Sequence, residues 1–307
     1  MSSAVVSAAV RAMRATDWLF VACLVHSIAL CVDGGKAVGA VDDLSLRSYS
    51  DVGELLQVAY ASKAVRKSTN SALGFILRGT ELPSAVGILL SFNEVPSRLA
   101  IKSKRSFDLF ENRLAMATVG LAADCDQLRM HSHVLSQVHQ LKFGYGSMSC
   151  YGLSSKVAAY LTRALHPTEE DNPIARPMAA SAFICGYFCK ESAVKLLLVE
   201  STGLVEDCQF STLGGAFTEA LATSLRSRVR AFEESRSPRS GADVRELLLA
   251  IVGEVRASVK EVHACDAMDV ECVVVGEEGV RCFADVDASG TKNDIGECVE
   301  KWLRLSS

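Results

Sequence analysis

No strong excess of either charge is present in this sequence of 307 residues. Its 32 Lys and Arg residues oppose 36 Asp and Glu residues, which gives a formal net charge of −4 without any long basic stripe. Proteins that bind nucleic acid neutralise its phosphates with clustered Lys and Arg side chains. Nucleic acid is therefore a poor candidate partner.

Long hydrophobic runs are scarce as well. One apolar run, at residues 18–32, follows Arg11 and Arg14, and it falls short of the roughly 20 residues that cross a bilayer. Three interpretations stay open for it: a targeting signal, an extra helix packed on the domain, or non-native sequence from an imperfect gene model. We favour the last two and expect no stable membrane insertion.

Regular spacing of metal-binding and cofactor-binding residues is also missing. The 11 cysteines contain no CxxC pair, and such a pattern is typical of free thiols in a reducing compartment. His131, His133 and His139 follow Cys125, but helical residues two apart point about 200° from each other. We therefore predict interface or solvent-facing histidines rather than a metal site. The Gly34–Lys36 triplet lacks the spacing of a phosphate loop, so we expect no cofactor.

Apolar residues, in contrast, are abundant at 49% of the chain, which is enough for a sizeable core. Their helical spacing predicts helices over residues 53–67, 124–143, 153–165, 215–234, 242–262 and 295–303. Asp124 and Ser154 are the predicted helix caps. Shorter apolar runs predict strands over residues 72–77, 87–92, 114–119, 180–186, 194–199, 270–275 and 280–284.

The order of these elements predicts the fold class. Strands and helices do not alternate strictly, so a doubly wound parallel sheet is disfavoured. Neighbouring runs such as 180–186 and 194–199 suit antiparallel hairpins instead. We predict an α+β protein, a four-layer αββα sandwich of two antiparallel sheets, in one domain over 42–307. A divergent extension over 1–41 precedes it.

One stretch carries a resemblance to a known family. Tyr49 to Ala61, YSDVGELLQVAYA, is similar to the FSPxGRxxQVEYA signature of proteasome α-type subunits. It departs at Asp51 for proline, Glu54 for arginine and Ala59 for glutamate. Further similar motifs follow in the family's order at residues 71–74, 116–124, 176–177, 186–187, 200–203 and 213–214. The resemblance covers roughly residues 42–304 and implies the same αββα fold, that of the N-terminal-nucleophile hydrolases.

The resemblance also suggests a subunit type. Three stretches, at residues 104–107, 143–145 and 156–161, look most like the α-type-3 subunit at ring position seven. We therefore predict that subtype.

Catalytic members of this fold use an N-terminal threonine whose own amine is the base, assisted by a lysine and an acid. The equivalent strand start falls near residues 69–71, the lysine position at Ser106 and the acid position within 91–93. All three groups are missing, so the resemblance implies a non-catalytic α-ring subunit of the 20S core in ubiquitin-dependent protein degradation. The alternative is a catalytic β-type threonine peptidase, released by cleavage before Thr69 or Ser71.

The resemblance implies contact residues and partners as well. The candidates for ring and gate contacts are Asp43, Tyr49, Gly53, Gln57 and Tyr60. The position that binds the carboxylate of activator tails is occupied by Ser106, with Lys104 and Arg105 as cationic neighbours. The implied partners are other α-type subunits, β-type subunits and the C-terminal tails of regulatory or activator particles, in the cytoplasm and nucleus. A secreted or membrane-tethered protein of this fold, suggested by residues 18–32, is a second alternative.

Overall fold

The described part of the chain begins at Tyr49. The computed structural model describes residues 49–50, 53–78, 85–94, 106–146, 148–165, 176–188, 193–234, 241–263, 268–284, 298–299, 301 and 303. The apolar run at 18–32 and Asp43, Lys104 and Arg105 lie outside these residues, and the domain boundary at residue 41 stays a prediction. No helix within the described ranges combines the length and apolar character that crossing a membrane requires.

Five helices and ten strands are assigned in this part of the chain. The helices are α1 (Leu56–Arg66), α2 (Ala122–Phe143), α3 (Cys150–Leu165), α4 (Glu219–Glu234) and α5 (Gly241–His263). The strands are β1 (Asn70–Leu77), β2 (Val86–Glu94), β3 (Phe107–Phe110), β4 (Leu114–Gly120), β5 (Ala180–Phe188), β6 (Ala193–Val199), β7 (Val205–Asp207), β8 (Phe210–Leu213), β9 (Met268–Gly276) and β10 (Gly279–Ala284).

The strands form two antiparallel sheets. The first sheet has the order β10-β9-β2-β1-β8 and the second has the order β3-β4-β5-β6-β7. All strand pairs in both sheets are antiparallel. The predicted α+β class and the four-layer sandwich are confirmed.

Alternating side chains build the layers. In β4, Leu114 and Met116 pack into a cluster with α2 and α3, whereas Ala115 and Val119 pack into the layer between the sheets. On the first sheet, β1, β2 and β9 bury their outward residues against α4 and α5. Because successive strand residues point to opposite faces, both faces of each sheet must be apolar. This explains why the central strands read as continuous apolar runs.

Most predicted elements are present, but three strands were missed. β3, β7 and β8 contain at most four residues each, which is too short for a periodic pattern to emerge. β7 also reads Val-Glu-Asp, and acidic residues are depleted in strands. Its pairing with β6 therefore depends on tertiary packing rather than on the local sequence.

The predicted starts of several helices also differ from the observed starts. The predicted cap Asp124 is wrong, because α2 begins after Leu121 and Asp124 lies buried in the first turn. Its carboxylate accepts two hydrogen bonds of 2.8 Å from the Arg176 guanidinium and one of 2.7 Å from the Ala179 backbone N–H. Asp124 thus ties the start of β5 to α2.

The predicted cap Ser154 is also wrong. α3 begins at Cys150, and the hydroxyl of Ser149 accepts a hydrogen bond of 3.0 Å from the Gly152 backbone N–H. Ser154 lies inside the helix and donates its hydroxyl to the carbonyl of Tyr151. The predicted starts of α1 and α4, at Gly53 and Gly215, likewise lie three and four residues before the observed Leu56 and Glu219.

A glycine in α5 offers a test of the helix assignment. A Cβ added at Gly253 would meet no atom within 4 Å, and glycine inside a helix costs about 0.5–1 kcal/mol relative to alanine. We expect Gly253→Ala to raise the free energy of unfolding by about that amount, as measured by urea denaturation.

Gly87 in β2 is the matched control. A Cβ added there would collide with Sγ of Cys185 and with Cγ1 of Val194 in the layer between the sheets. The same substitution should therefore lower the free energy of unfolding. A lower free energy of unfolding for Gly253→Ala would contradict the helical assignment of residue 253.

Candidate functional site

Polar side chains gather at one end of the layer between the sheets. Asn70 begins β1 and lies opposite Asn93 of β2, while Ser91 of β2 lies opposite Glu271 of β9. Ser106 directly precedes β3 of the second sheet. These five residues are called the mouth cluster below. They include the strand start, the acid window and the lysine position that the sequence singled out.

Hydrogen bonds link the members of the mouth cluster. The Asn93 amide donates to the Ser106 hydroxyl at 2.7 Å and to the Ser91 hydroxyl at 3.4 Å. The Ser106 backbone N–H donates to Oε2 of Glu271 at 2.8 Å. Glu271 is only 3% exposed, and a buried carboxylate needs such donors to offset its lost hydration.

Asn70 joins the two sheets at the same place. Its side-chain amide donates to the carbonyl of Thr118, and its side-chain oxygen accepts from the backbone N–H of Gly120, both at 3.3 Å. Both partners belong to β4 in the second sheet. The residue at the strand start therefore acts as a structural bridge.

Among the described residues, the hydroxyl groups of Ser91 and Ser106 accept hydrogen bonds from the Asn93 amide rather than donating to a carboxylate, imidazole or amine. Glu271 accepts from the backbone of Ser106, and the Ser106 hydroxyl accepts from Asn93. A hydroxyl nucleophile requires an adjacent base. Ser71 is directed elsewhere, since its hydroxyl accepts from the Ala216 backbone N–H at 3.0 Å on the outer side of β1.

A second candidate surface surrounds α1. A tight turn leads into this helix: the Ser50 N–H donates to the Glu54 carbonyl at 2.8 Å, and Gly53 adopts a φ of 84°. α1 buries Ala61 and Val65 and leaves Tyr60 exposed, and Tyr49 at the turn is exposed as well. The structure thus places the described gate candidates at this turn and along this helix, whereas Asp43 lies outside the described residues.

An open groove of about 510 Å³ runs along α1. The described residues that line it lie on one face of this helix and in the turn before it. The lining residues are Glu54, Leu55, Val58, Ala59, Ser62, Lys63 and Arg66. This surface is called the α1 groove.

An exposed apolar stripe runs along one face of α2. Its members recur at helical spacing, with exposures between 43% and 87%: Met130, Val134, Val138 and Leu141. Phe143 and Tyr145 extend the stripe at the end of the helix. Contiguous exposed apolar surfaces of this kind mark contacts with other proteins.

The three histidines of α2 contact different neighbours. His131 stacks on Tyr160 with ring centroids 3.8 Å apart, and Nε2 of His133 lies 3.0 Å from the Asp108 carboxylate. Burial, together with the nearby Arg163 charge, lowers the pKa of His131 below its usual value. Among the described residues, no three His, Cys, Asp or Glu side chains are grouped to hold a metal ion.

Several cysteines form part of the core. Cys125, Cys150, Cys185 and Cys272 are buried free thiols. Burial raises the pKa of Cys125 to about 11, and it also raises the pKa of Cys185 and Cys272. Because the thiolate is the reactive form, these side chains behave as small apolar residues.

Two parts of these surfaces escaped the sequence analysis. Glu271 lies in a run that was predicted only as a buried strand. A single acidic residue in such an apolar run indicates a buried polar site, and this signal could have identified it. Lys63 and Arg66 looked like ordinary solvent-facing charges of a helix. Only the groove beside them gives them a candidate role.

Comparisons with known proteins place these features in context. The family model described as Proteasome subunit matches residues 86–261. Proteasome subunit alpha type-7-1B of Drosophila virilis is 28% identical over 172 residues, covering 56% of this chain and 64% of that protein. Proteasome subunits alpha type-7-A and alpha type-7-B of Arabidopsis thaliana are each 33% identical over 99 residues, covering 32% of this chain and 37% of those proteins. The chain thus spans less than two thirds of these relatives.

The relatives support an α-type subunit and correct the predicted subtype. They carry the name alpha type-7, so the assignment to α-type-3 at ring position seven is wrong. The stretch at 156–161, one of those behind it, lies within α3 and includes the core residues Val157, Ala158 and Leu161. Such positions report helix packing, which similar folds share, rather than subunit type.

The mouth cluster yields a stability prediction. Glu271→Leu removes the acceptor of the Ser106 backbone N–H, and an unpaired donor costs about 1 kcal/mol or more. We expect the free energy of unfolding, measured by urea denaturation, to fall by that amount. Glu271→Gln is the matched control, because its amide oxygen still accepts this bond. A leucine variant as stable as the glutamine variant would count against the proposed bond.

Proposed function

This chain belongs to the proteasome subunit family, and from that membership we propose that it is a non-catalytic structural subunit of the α-ring of the 20S core. The observation that carries this proposal is the mouth cluster. It brings together Asn70, Asn93 and Ser106, which fall in the strand start, the acid window and the lysine position that the resemblance implies for a catalytic subunit. In this role the chain serves ubiquitin-dependent protein degradation in the cytoplasm and nucleus.

The geometry of β1 supports the absence of catalysis. An N-terminal nucleophile must combine a hydroxyl with a free amine on the same residue. Asn70 offers neither a hydroxyl nor an adjacent base, and its amide is engaged by β4. Ser71 is 1% exposed and faces away from the cluster.

Exposed apolar surface supports a role in assembly. The α2 stripe, including Met130 at 72% and Leu141 at 87% exposure, is more apolar than a solvated helix face needs to be. Burying such a stripe against a neighbouring subunit would stabilise a ring. The proposed neighbours are other α-type subunits and β-type subunits.

The turn before α1 supports a place near the substrate-entry gate. Tyr49 pairs with Leu55 across this turn, and the Ser50 hydroxyl accepts from the Glu54 backbone N–H at 3.1 Å. Hydrogen bonds thus hold the turn although Asp51 stands where the family signature has proline. Tyr49, Gly53, Gln57 and Tyr60 are the proposed contact residues, with Asp43 upstream.

Activator docking is the finer part of the proposal. Ser106 offers no positive charge for the carboxylate of an activator tail, and its hydroxyl is already bonded to Asn93. A cation at this position would attract the carboxylate directly. We therefore propose that pockets bordered by this subunit bind ordinary activator tails weakly.

Native pull-down tests the role in the ring. A tagged chain, captured from its own cells and analysed by mass spectrometry, should co-purify with six other α-type and seven β-type subunits in near-equal amounts. N-terminal sequencing of the captured chain should find no new terminus at Thr69 or Ser71. Capture without proteasome subunits, or cleavage at either residue, would overturn the proposal.

The binding of an activator-tail peptide tests the proposal that Ser106 weakens activator docking. In the purified particle, Ser106→Lys should tighten the binding of an activator-tail peptide about fivefold, the scale of one exposed ion pair. Fluorescence polarisation measures the affinity. The proposal for Ser106 would be refuted if the wild-type particle bound the tail peptide as tightly as the Ser106→Lys particle does. The wild-type particle would also have to lose this binding when only Lys104 and Arg105 are substituted.

A further inference from the structure

The second half of α2, residues 129–143, has no apolar anchor in the core. The structure describes α2 in full, and its buried residues are Asp124, Cys125, Leu128, Ser132 and Ser136. Leu128 is the last apolar one among them, and about four helical turns follow it. Burial of an apolar face is the main force that holds a helix on a domain. This part of α2 is therefore held by contacts of another kind.

Two histidines join this part of α2 to α3. The His131 ring stacks on the Tyr160 ring, with centroids 3.8 Å apart and an interplanar angle of 16°. Nδ1 of His139 lies 3.5 Å from Nζ of Lys156. These two contacts are called the histidine seam below.

The histidine seam requires uncharged imidazole rings. The ammonium group of Lys156 can only donate hydrogen bonds, so Nδ1 of His139 must be the unprotonated, accepting nitrogen. At the other contact, burial and the nearby Arg163 charge lower the pKa of His131 below its usual value. A proton added to either ring would place two positive charges side by side.

The elements packed against α2 offer the seam more positive than negative charge. α3 contains no Asp or Glu and contributes Lys156 and Arg163. β4 and β5 contain no Asp, Glu, Lys, Arg or His. Arg129 and Lys142 on α2 and Arg113 in the turn before β4 are further cations. The surroundings thus disfavour protonation of the seam.

The acids near α2 contact other groups. These acids are Asp108, Glu111, Asp124 and Asp126. Their partners include the guanidinium groups of Arg129 and Arg176 and the backbone N–H of Gly146. Among the described residues, no acid forms a hydrogen bond or an ion pair with His131 or His139. A protonated seam would therefore gain no carboxylate partner.

His133 has the opposite environment. Its Nε2 lies 3.0 Å from the Asp108 carboxylate, and its ring packs on Phe110 with centroids 4.7 Å apart. Protonation of His133 strengthens its hydrogen bond to Asp108, because the bond then joins opposite charges. This third histidine of α2 is therefore a control for the other two.

We propose that the histidine seam is a pH-sensitive attachment, in which neutral His131 and His139 hold the second half of α2 on α3 and their protonation releases it. The attachment is complete above about pH 6.5, where a free histidine is neutral. It weakens as the pH falls below that value, because the attached state binds fewer protons than the released state. The exposed residues Val134 and Leu141 lie on the same half of α2, so release alters the apolar stripe. The effect on ring assembly rests on the proposed function, whereas the release itself does not.

Amide hydrogen exchange of the full-length chain tests the release. Once detached, a helix of about four turns is only marginally stable in water, so its amides exchange. After correction for intrinsic exchange, the protection of residues 131–143 should fall about tenfold or more between about pH 7.5 and about pH 5.5, since one free histidine gains a factor of about ten at one unit below its pKa. Strands β4 and β5 should change little. Equal protection of residues 131–143 at both pH values would overturn the proposal.

Variants assign the effect to the seam. His131→Phe keeps a ring that stacks on Tyr160, and His139→Gln keeps an oxygen that accepts from Lys156, but neither new side chain can be protonated. The double variant should therefore be equally protected at both pH values. His133→Gln is the matched control and should retain at least the pH dependence of the wild type. The proposal fails if the double variant loses protection on acidification as the wild type does, or if His133→Gln alone abolishes the loss.

The captured particle separates this inference from the proposed function. Particles captured through the tagged chain at about pH 7.5 and then washed at about pH 5.5 should lose neighbouring subunits faster with the wild-type chain than with the double variant. Equal loss from both would overturn the effect on assembly alone. A chain that captures no proteasome subunits at the higher pH would contradict the proposed function, while the exchange experiment still decides the release.

Discussion

Packing between the two sheets is the constraint on which the other features depend. Residues such as Ala72, Leu89, Phe183 and Val273 fill the layer between the sheets and are essentially inaccessible to water. Each sheet must also cover its outer face, which explains the helix pairs on both sides. Because the layer is apolar, polar groups are tolerated only at its end, where backbone and side-chain partners meet them.

That end of the layer is where the fold can place chemistry. In this chain the hydrogen-bonding capacity there is used for structure: Asn70 bridges the sheets, and Glu271 holds the residue that precedes β3. At this place amides lie close to hydroxyl groups, and their hydrogen bonds connect the two sheets.

The candidate contact surfaces lie on the outer helices. Exposed charges lie on α1 and in the turn before it, and α2 carries an exposed apolar stripe. Neither feature is required by the core, since α1 is anchored through Ala61 and Val65 alone among its buried residues. The outer face of α1 therefore contributes little to the core.

Apolar patterns in the sequence by themselves predicted the long elements and the two-sheet architecture, and the motifs from Tyr49 onward carried the resemblance to the family. Apolar residues at a period of 3.6 mark the helices, and short continuous apolar runs mark the strands that are buried on both faces. Only the tertiary structure decided the short strands β3, β7 and β8, the partners of Asp124, and the meeting of Asn93 with Ser106. These contacts join residues that are distant in the chain or too few to form a pattern. Their energies depend on burial and hydrogen-bond geometry, which exist only once the sheets have packed.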